Sequence, residues 1–131
     1  MAKLRVELVA PERQVWSGEA DMVLARTLEG ELGILPNHAP LFGALVEGGV
    51  VRVHESAGSE EVVAAVSGGF LSVTENRVSI LAEYAELGQE VDVEEAHRAL
   101  ERALADADHD EEAQAEVERQ RARLRASGQE V

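Results

Sequence analysis

The sequence predicts an α+β fold in which an N-terminal antiparallel two-sheet β sandwich, residues 1–87, precedes a C-terminal two-helix antiparallel hairpin, residues 88–131. The first observation is that apolar residues recur with a period of two from Lys3 to Ala82, as in strands buried on one face. The second is that after Gly88 the apolar period becomes that of a helix and β-branched residues become rare. These two regimes predict two structural units.

The β region is predicted to contain several short strands. Residues 3–8 alternate charged and aliphatic side chains, and Pro11 is expected to end this strand because proline has no amide donor. The other predicted strands are residues 22–27, 49–54, 61–66, 70–74 and 77–81, the last two forming a hairpin. The predicted turns lie at residues 17–18, 47–49, 56–59 and 75–76. Strands spaced this regularly indicate two packed antiparallel sheets or a flattened barrel.

Residues 30–41 carry the strongest local constraints on the backbone, because two glycines and two prolines fall within twelve residues. The glycines can adopt positive φ, whereas the prolines hold φ and push the preceding residues towards extended conformations. We therefore expect a stiff loop that presents polar groups above an apolar base, and such loops are more often contact surfaces than spacers. His38 in this loop suits a structural hydrogen bond and a partner contact equally well.

The tail is predicted to form two helices, the first beginning at a capping box. Asp92 would accept a hydrogen bond from an early amide, and Glu95 would reach back to the cap. The inward stripe of this helix is expected to comprise Val93, Ala96, Leu100, Ala103, Leu104 and Ala107. The expected outward ion pairs are Glu94 with Arg98 and Arg102 with Asp106.

The second helix should be capped by Asp110 and end near Gly128, because glycine suits a helix C-terminus. Its inward residues are expected to be Ala113, Val117 and Leu124. Because the inward residues of both helices are mostly alanine, the hairpin buries too little apolar surface to be stable alone. It must therefore pack on the β domain or on another protein, and two competing docking surfaces would permit a conformational switch.

The charge of the chain argues against several classes of function. Twelve Lys and Arg residues are outnumbered by 26 Asp and Glu residues, for a net charge of −14. This field repels phosphate backbones and anionic headgroups, so neither nucleic-acid binding nor direct membrane binding is expected. No apolar segment approaches the ~18 residues that cross a bilayer, so direct membrane insertion is not expected either. The default expectation is a soluble intracellular protein.

The sequence offers little catalytic chemistry. Residues 67–70 lack the Gly-Lys-Ser/Thr of a phosphate loop, so their glycine pair is interpreted as a bulge or a close sheet contact. The four histidines, which are His38, His54, His97 and His109, lack the short spacings of a metal site. Four arginines near the C-terminus, Arg119, Arg121, Arg123 and Arg125, permit two interpretations. They form either a solvated helix end that compensates the helix dipole or a surface for an acidic partner.

Three motifs together carry a resemblance to a known family. Residues 30–41 (Gly-Glu-Leu-Gly-Ile-Leu-Pro-Asn-His-Ala-Pro-Leu), 66–73 and 76–82 resemble the epsilon subunit of the bacterial F-type ATP synthase. The resemblance covers the β region nearly end to end and the tail more loosely. It implies a non-catalytic central-stalk subunit, peripheral to the cytoplasmic face of the bacterial cell membrane, that couples the gamma subunit to the c ring. It also implies that the hairpin opposes ATP hydrolysis.

The resemblance further implies which residues make contacts. Those matched to the family's contacts with the c ring and gamma are Glu29, Glu31, Leu32, Gly33, Asn37, His38 and Pro40. Glu31 would face the polar loops of the c ring, where a carboxylate can pair with a basic residue, and His38 would lie near gamma. When the tail is extended along gamma, Arg119, Arg121, Arg123 and Arg125 would meet an acidic segment of the beta subunit.

Some members of this family bind ATP at the folded hairpin through an aliphatic residue, Asp, two free positions, Arg and Ala. The matching residues here are 91–96, and Glu95 stands where the arginine is found. Asp92 and Arg102 match the family's other nucleotide contacts, but a carboxylate at position 95 should repel phosphates. We therefore expect weak or absent ATP binding and no cofactor. The alternative hypothesis is a stand-alone acidic β-sandwich ligand-binding protein or metal-dependent enzyme with a helical appendage.

Overall fold

A computed structural model describes residues 2–56 and 58–130 of the chain, and these residues form eight strands and two α-helices. The strands are β1 (Leu4–Ala10), β2 (Arg13–Ala20), β3 (Met22–Thr27), β4 (Gly30–Ile34), β5 (Leu41–Ala44), β6 (Gly49–His54), β7 (Val62–Thr74) and β8 (Arg77–Leu87). One turn of 3-10 helix at Gly88–Glu90 leads into α1 (Val93–Asp106) and α2 (Glu111–Ala126). The predicted α+β class is confirmed.

The strands form one hydrogen-bonded path that folds into two layers. Its order is β2-β1-β8-β7-β6-β3-β4, with β5 beside β7. β7 and β8 run through both layers, because the first half of β7 pairs with β6 and its second half pairs with β5. β1 and β8 are parallel, which the sequence did not predict, whereas the other pairs are antiparallel.

The space between the layers is filled by aliphatic side chains from both. Leu4, Val6 and Leu8 point inward from β1, as their alternation predicted, and are at most 2% exposed. They belong to one cluster with residues of the opposite layer such as Val23 and Val53. Fully burying each large aliphatic side chain stabilises the fold by roughly 1.5–3 kcal/mol, so this cluster is the main source of stability of the β domain.

Several sequence predictions in the β region need correction. β3 and β6 have the predicted bounds, but β2, β4 and β5 were not predicted, and the turn expected at residues 17–18 lies inside β2. The single loop expected at residues 30–41 is wrong over Gly30–Ile34, which is β4. Both β2 and β4 are edge strands, so their half-exposed sequences lack a clear apolar alternation and only their neighbours specify them. The turn expected at residues 56–59 includes Ala57, which lies outside the described residues.

The glycine pair in β7 makes a close sheet contact, one of its two predicted roles. Gly68 and Gly69 both have positive φ, at 67° and 97°, where glycine is favoured. A Cβ on Gly69 would lie 2.8 Å from the Cα of Ala82 on β8. The register of β7 against β8 is the same on both sides of the pair, so no bulge forms. The glycines allow β7 to change its second neighbouring strand: the residues before the pair are hydrogen-bonded to β6, and those after it to β5.

The predicted helix caps are present. Asp92 accepts a hydrogen bond from the amide of Glu95 at 3.1 Å, and Asp110 accepts from the amide of Glu112 at 2.9 Å. The Glu95 carboxylate does not return to the cap, because it pairs with Arg123 at 2.9 Å. Leu104, which was expected to face inward, is 47% exposed.

The outward ion pairs predicted along α1, residues 94 with 98 and 102 with 106, are absent from the described part of the chain. The residues expected to face inward from α2, which are Ala113, Val117 and Leu124, are all buried.

The hairpin packs on the β domain through α2, which contacts β6 and β7. Ala122 and Ala126 of α2 share a small buried cluster with Ala65 of β7, beside Val50 and Val63. α1 packs mainly against α2. The alanine-rich hairpin therefore packs on the sandwich, which is one of the two arrangements that its low apolar content predicted.

Candidate functional site

The predicted contact residues at 29–33 lie on β4 and on the turn before it. Glu29 stands in the turn, where its amide donates to Oγ1 of Thr27 at 3.2 Å. Glu31 is opposite Arg26 in the β3–β4 pair. Glu29 and Glu31 are both exposed. Leu32 packs partly against the core, whereas Gly33 is exposed. Glu31 is thus presented on an edge strand with a regular backbone.

The predicted contact residues at 37–40 lie at the other end of β4, in the loop before β5. The amide of Asn37 donates to Oδ1 of Asn76 at 2.5 Å, and Nδ2 of Asn76 lies 3.3 Å from Oδ1 of Asn37. Both asparagines have positive φ, which asparagine tolerates better than most residues. This pairing ties the loop to the β7–β8 turn.

His38 makes its polar contacts inside this loop. Its amide donates to the Leu35 carbonyl at 3.2 Å, and its Nδ1 lies 2.7 Å from the carbonyl oxygen of Ala39. Pro40 beside it is exposed. β4 has five residues and so separates this loop from Glu29 by about 17 Å. The predicted contact residues therefore form two groups, one at each end of the strand.

The sandwich carries an exposed aromatic pair that the sequence did not predict. The rings of Phe42 on β5 and Phe70 on β7 are stacked, with centroids 5.2 Å apart, and these residues are 68% and 50% exposed. Leu81 on β8, opposite Phe70 in the register, is 54% exposed. Successive residues of a strand face opposite sides, so a buried Leu71 implies that Phe70 faces outward. A large apolar residue on the outer face was the feature of the sequence that could have indicated this surface. Contiguous exposed apolar groups of this kind mark interaction surfaces.

Arg123 joins α2 to both β8 and α1. Its Nε donates to Oε1 of Glu86 at 2.8 Å, and its Nη1 donates to Oε1 of Glu95 and of Gln120, each at 2.9 Å. The Tyr84 hydroxyl donates to the same Glu86 oxygen, and burial together with this bond raises the pKa of Tyr84. Burial alone would lower the pKa of Arg123, but the carboxylates of Glu86 and Glu95 outweigh it and raise the pKa. Arg123 is thus a permanent cation buried at the junction of hairpin and sandwich.

Arg119 makes a second connection between α2 and the sandwich. It pairs with Glu47 before β6 at 2.5 Å, and with Glu112 and Glu116 of its own helix at 2.7 and 2.6 Å. Arg121 pairs with Glu118 of α2, at 3.4 Å. Within the described residues Arg125 has no ion pair and is exposed. The interpretation of these arginines as a solvated helix end is therefore wrong for Arg119 and Arg123.

A cavity of about 400 Å³ lies where α2 meets the sandwich. Its lining residues are Glu47, Ser67, Glu83, Tyr84, Glu116, Arg119, Gln120 and Arg123. Both guanidinium groups already face carboxylates, so the cavity has no spare positive charge for an anion. In the described ranges no group of three or more His, Cys, Asp or Glu side chains could hold a metal ion.

The two residues considered for nucleotide binding are not brought together. The Asp92 carboxylate caps α1, and Arg102 lies ten residues further on, about 15 Å along the helix. Arg102 borders a shallow cavity of about 440 Å³ that is also lined by four acids. These acids are Asp106, Asp110, Glu112 and Glu116. None of the described helices has the length and hydrophobicity needed to cross a membrane.

Comparison with known proteins identifies the family. The model of the family described as "ATP synthase, Delta/Epsilon chain, beta-sandwich domain" matches residues 3–88. The chain belongs to this delta/epsilon family of ATP synthase chains. It is 58% identical over 106 residues to the ATP synthase epsilon chain of Thermobifida fusca (strain YX), covering 80% of this chain and 77% of the relative. It is 56% identical over 105 residues to the ATP synthase epsilon chain of Streptomyces avermitilis, covering 80% and 83%.

Solved structures show the same fold as this ATP synthase delta/epsilon chain. A chain in the structure of the Euglena gracilis mitochondrial ATP synthase, OSCP/F1/c-ring, superposes with a TM-score of 0.77 at 25% identity, covering 98% of this chain and 81% of that one. A chain of the Tetrahymena thermophila mitochondrial central stalk and c-ring gives a TM-score of 0.56 at 20% identity. The Euglena match extends the likeness from the sandwich to the hairpin, which lies beyond the residues matched by the family model.

Proposed function

We propose that this chain is a non-catalytic central-stalk subunit of a proton-translocating F-type ATP synthase, which couples the gamma subunit to the c ring and restrains ATP hydrolysis through its helical hairpin. Membership of the delta/epsilon family and similarity to epsilon chains support the proposal. Such a subunit would sit at the cytoplasmic face of the bacterial cell membrane only as part of the complex. Its likeness to a chain of an F1 and c-ring assembly is consistent with this location.

The stacked pair of Phe42 and Phe70 carries the coupling part of the proposal. Aromatic side chains are enriched in the buried centres of protein interfaces and often dominate their binding energy. With Leu81 the pair makes an apolar surface on the outer face of β5, β7 and β8, which we assign to gamma. The Asn37–His38 loop would extend this contact, with Pro40 leading into β5 and Phe42.

The turn before β4 and its edge carry the contact proposed for the c ring. Glu29 and Glu31 are exposed carboxylates, and a basic residue in a c-ring loop would pair with them. Leu32 and Gly33 continue the same edge strand. The paired backbone of β4 holds Glu31 in a defined position, and this rigidity suits a contact that transmits torque.

The arginines of α2 carry the regulatory part of the proposal. Arg119 and Arg123 bind carboxylates of the sandwich, so the groups proposed to bind an acidic segment of the beta subunit are occupied while the hairpin is docked. Extending the hairpin would exchange these internal carboxylates for those of the partner. Because both states pair arginine with carboxylate, their free energies can be similar, and a bound partner can shift the population. Arg121 and Arg125 are the more accessible arginines for a first encounter.

The coupling proposal is tested by binding to purified gamma subunit. Replacing both Phe42→Ser and Phe70→Ser should weaken binding by about tenfold or more, because both aromatic anchors are lost. The matched control is Leu104→Ser, which removes an exposed apolar residue on α1 and should bind normally. If the double variant binds gamma as tightly as the control, this surface is not the gamma contact.

The regulatory proposal is tested by truncation after Gly88. The truncated chain retains all eight strands, so we expect it to fold and bind gamma. A reconstituted complex that contains it should hydrolyse ATP faster than one with the full chain. An unfolded truncated chain would mean that the hairpin is part of the core, and an unchanged hydrolysis rate would count against inhibition by the hairpin.

A further inference from the structure

The backbone of α2 lies close to two glycines, Gly48 in the turn before β6 and Gly88 in the 3-10 turn after β8. A Cβ on Gly48 would be 2.8 Å from the Cβ of Glu118, and a Cβ on Gly88 would be 2.7 Å from the carbonyl carbon of Ala126. Glu118 and Ala126 are eight residues apart, about 12 Å along the helix. Between them Ala122, 1% exposed, belongs to the small cluster on β7. No side chain other than hydrogen fits at either end of this contact.

Glycine is favoured at these two positions for different reasons. Gly48 has a φ of +72°, so the turn before β6 favours glycine even without the helix. Gly88 is not among the residues of positive φ, so its backbone conformation is open to alanine. The three atoms nearest to a Cβ at Gly88 belong to Ala126, the last residue of α2, and to Ser127, which follows it. The tightest contacts of a side chain at position 88 are therefore with the end of the docked helix.

We propose that Gly88 determines the conformation of the tail: its missing side chain admits the docked α2, and a methyl group there would favour an undocked hairpin while leaving the sandwich folded. The end of α2 would have to move to restore van der Waals distance to the added methyl. Arg123 is only three residues from Ala126, so the same movement would stretch its 2.8 Å bond to Glu86. Loss of the close contact and of the ion pair would therefore occur together. The consequence for ATP hydrolysis rests on the proposed function, whereas the docking itself does not.

The test is hydrogen exchange measured by mass spectrometry on the full isolated chain, which needs no partner subunit. In Gly88→Ala the amides of α2 should exchange about tenfold faster or more, while those of β6, β7 and β8 keep their protection. The matched control is Gly43→Ala on β5, where the nearest atom to an added Cβ, Cγ2 of Thr27, is 3.4 Å away and belongs to the sandwich. The control should leave α2 as protected as in the unmodified chain.

Two results would overturn the proposal. Unchanged protection of α2 in Gly88→Ala would show that the helix end accommodates the methyl group while docked. Loss of protection in β7 and β8 together with α2 would show that Gly88 belongs to the core of the sandwich. Because gamma, beta and the c ring are absent from this measurement, either result leaves the proposed central-stalk function to be judged by its own binding test.

Discussion

Nε of Arg123 in α2 donates a hydrogen bond of 2.8 Å to Oε1 of Glu86 near the end of β8, and the two residues are 37 positions apart in the chain. The side chains are only 9% and 16% exposed, so the pair is largely removed from water. A buried guanidinium needs such partners, because an unpaired charge there would be strongly destabilising. This pair therefore links the hairpin to the sandwich through a largely buried contact.

Replacing Arg123→Gln should release the hairpin. The change leaves the buried Glu86 carboxylate without its countercharge, and we expect the docked state to lose about 2–3 kcal/mol. Hydrogen exchange of α2 amides measures the effect. Arg121→Gln is the control, because its exposed pair with Glu118 at 3.4 Å should contribute less than about 0.5 kcal/mol. Equal exchange in the two variants would contradict a role for Arg123 in docking.

Acid should destabilise the fold through Glu116, whose carboxylate accepts hydrogen bonds from Arg119 and Gln120 of the same helix. Burial alone would raise the pKa of this carboxyl group, but hydrogen bonds from Gln120 and Arg119 outweigh it and hold the pKa below its ordinary value of 4.5. A carboxylate whose folded-state pKa is lowered stabilises the fold above about pH 4.5, and this contribution disappears as the pH falls through the folded-state pKa.

The measurement for Glu116 is the free energy of unfolding between pH 7 and pH 3. This free energy should fall more steeply for the unmodified chain than for Glu116→Gln, because the variant lacks the titrating group. The difference between the two falls should be less than about 1 kcal/mol, because the site is partly exposed. Glu101→Gln, which changes an exposed residue of α1, should retain the steeper dependence. Parallel curves for all three proteins would contradict the prediction.

The loop that contains His38 should loosen in Asn76→Gly. Glycine tolerates the φ of 61° at this position but removes both hydrogen bonds to Asn37, so the loop loses its tie to the β7–β8 turn. We expect faster amide exchange at residues 37–38 and weaker binding to gamma, with the sandwich still folded. The control is Glu75→Gly in the same turn, which keeps the asparagine pair. Tight gamma binding by Asn76→Gly would mean that loop rigidity is unimportant.

ATP should bind weakly or not at all to the isolated chain. The family resemblance places the Glu95 carboxylate at the position of the expected arginine, and Arg102 borders a cavity that is also lined by four acids. Titration calorimetry with ATP and Mg²⁺ should show no saturable heat up to ~1 mM. The free energy of binding would then be no more favourable than about −4 kcal/mol. Saturable binding below that concentration that is abolished by Arg102→Gln would contradict the prediction.

The division into sandwich and hairpin could be predicted because the apolar period follows directly from the geometry of strands and helices. Each buried position on β1 can be identified from its neighbours two residues away, and the caps Asp92 and Asp110 act on amides within three residues. The motif at residues 30–41 led to the correct family for the same reason, since it is contiguous in the chain. Local patterns are sufficient where the physical interaction is itself local.

Edge strands and the hairpin junction depend on contacts between distant residues. Alternation put Phe70 on the outer face, but its stacking on Phe42 of β5 became visible only when the two strands were paired. The arginines of α2 were equivalent in the sequence, yet folding buries Arg123 beside Glu86 and leaves Arg125 exposed. The sequence by itself determined the α+β class, the two helices, the core face of the first strand and the family. The tertiary structure alone decided which charges are paired and why glycine is needed at position 88, because both depend on groups brought together only by packing.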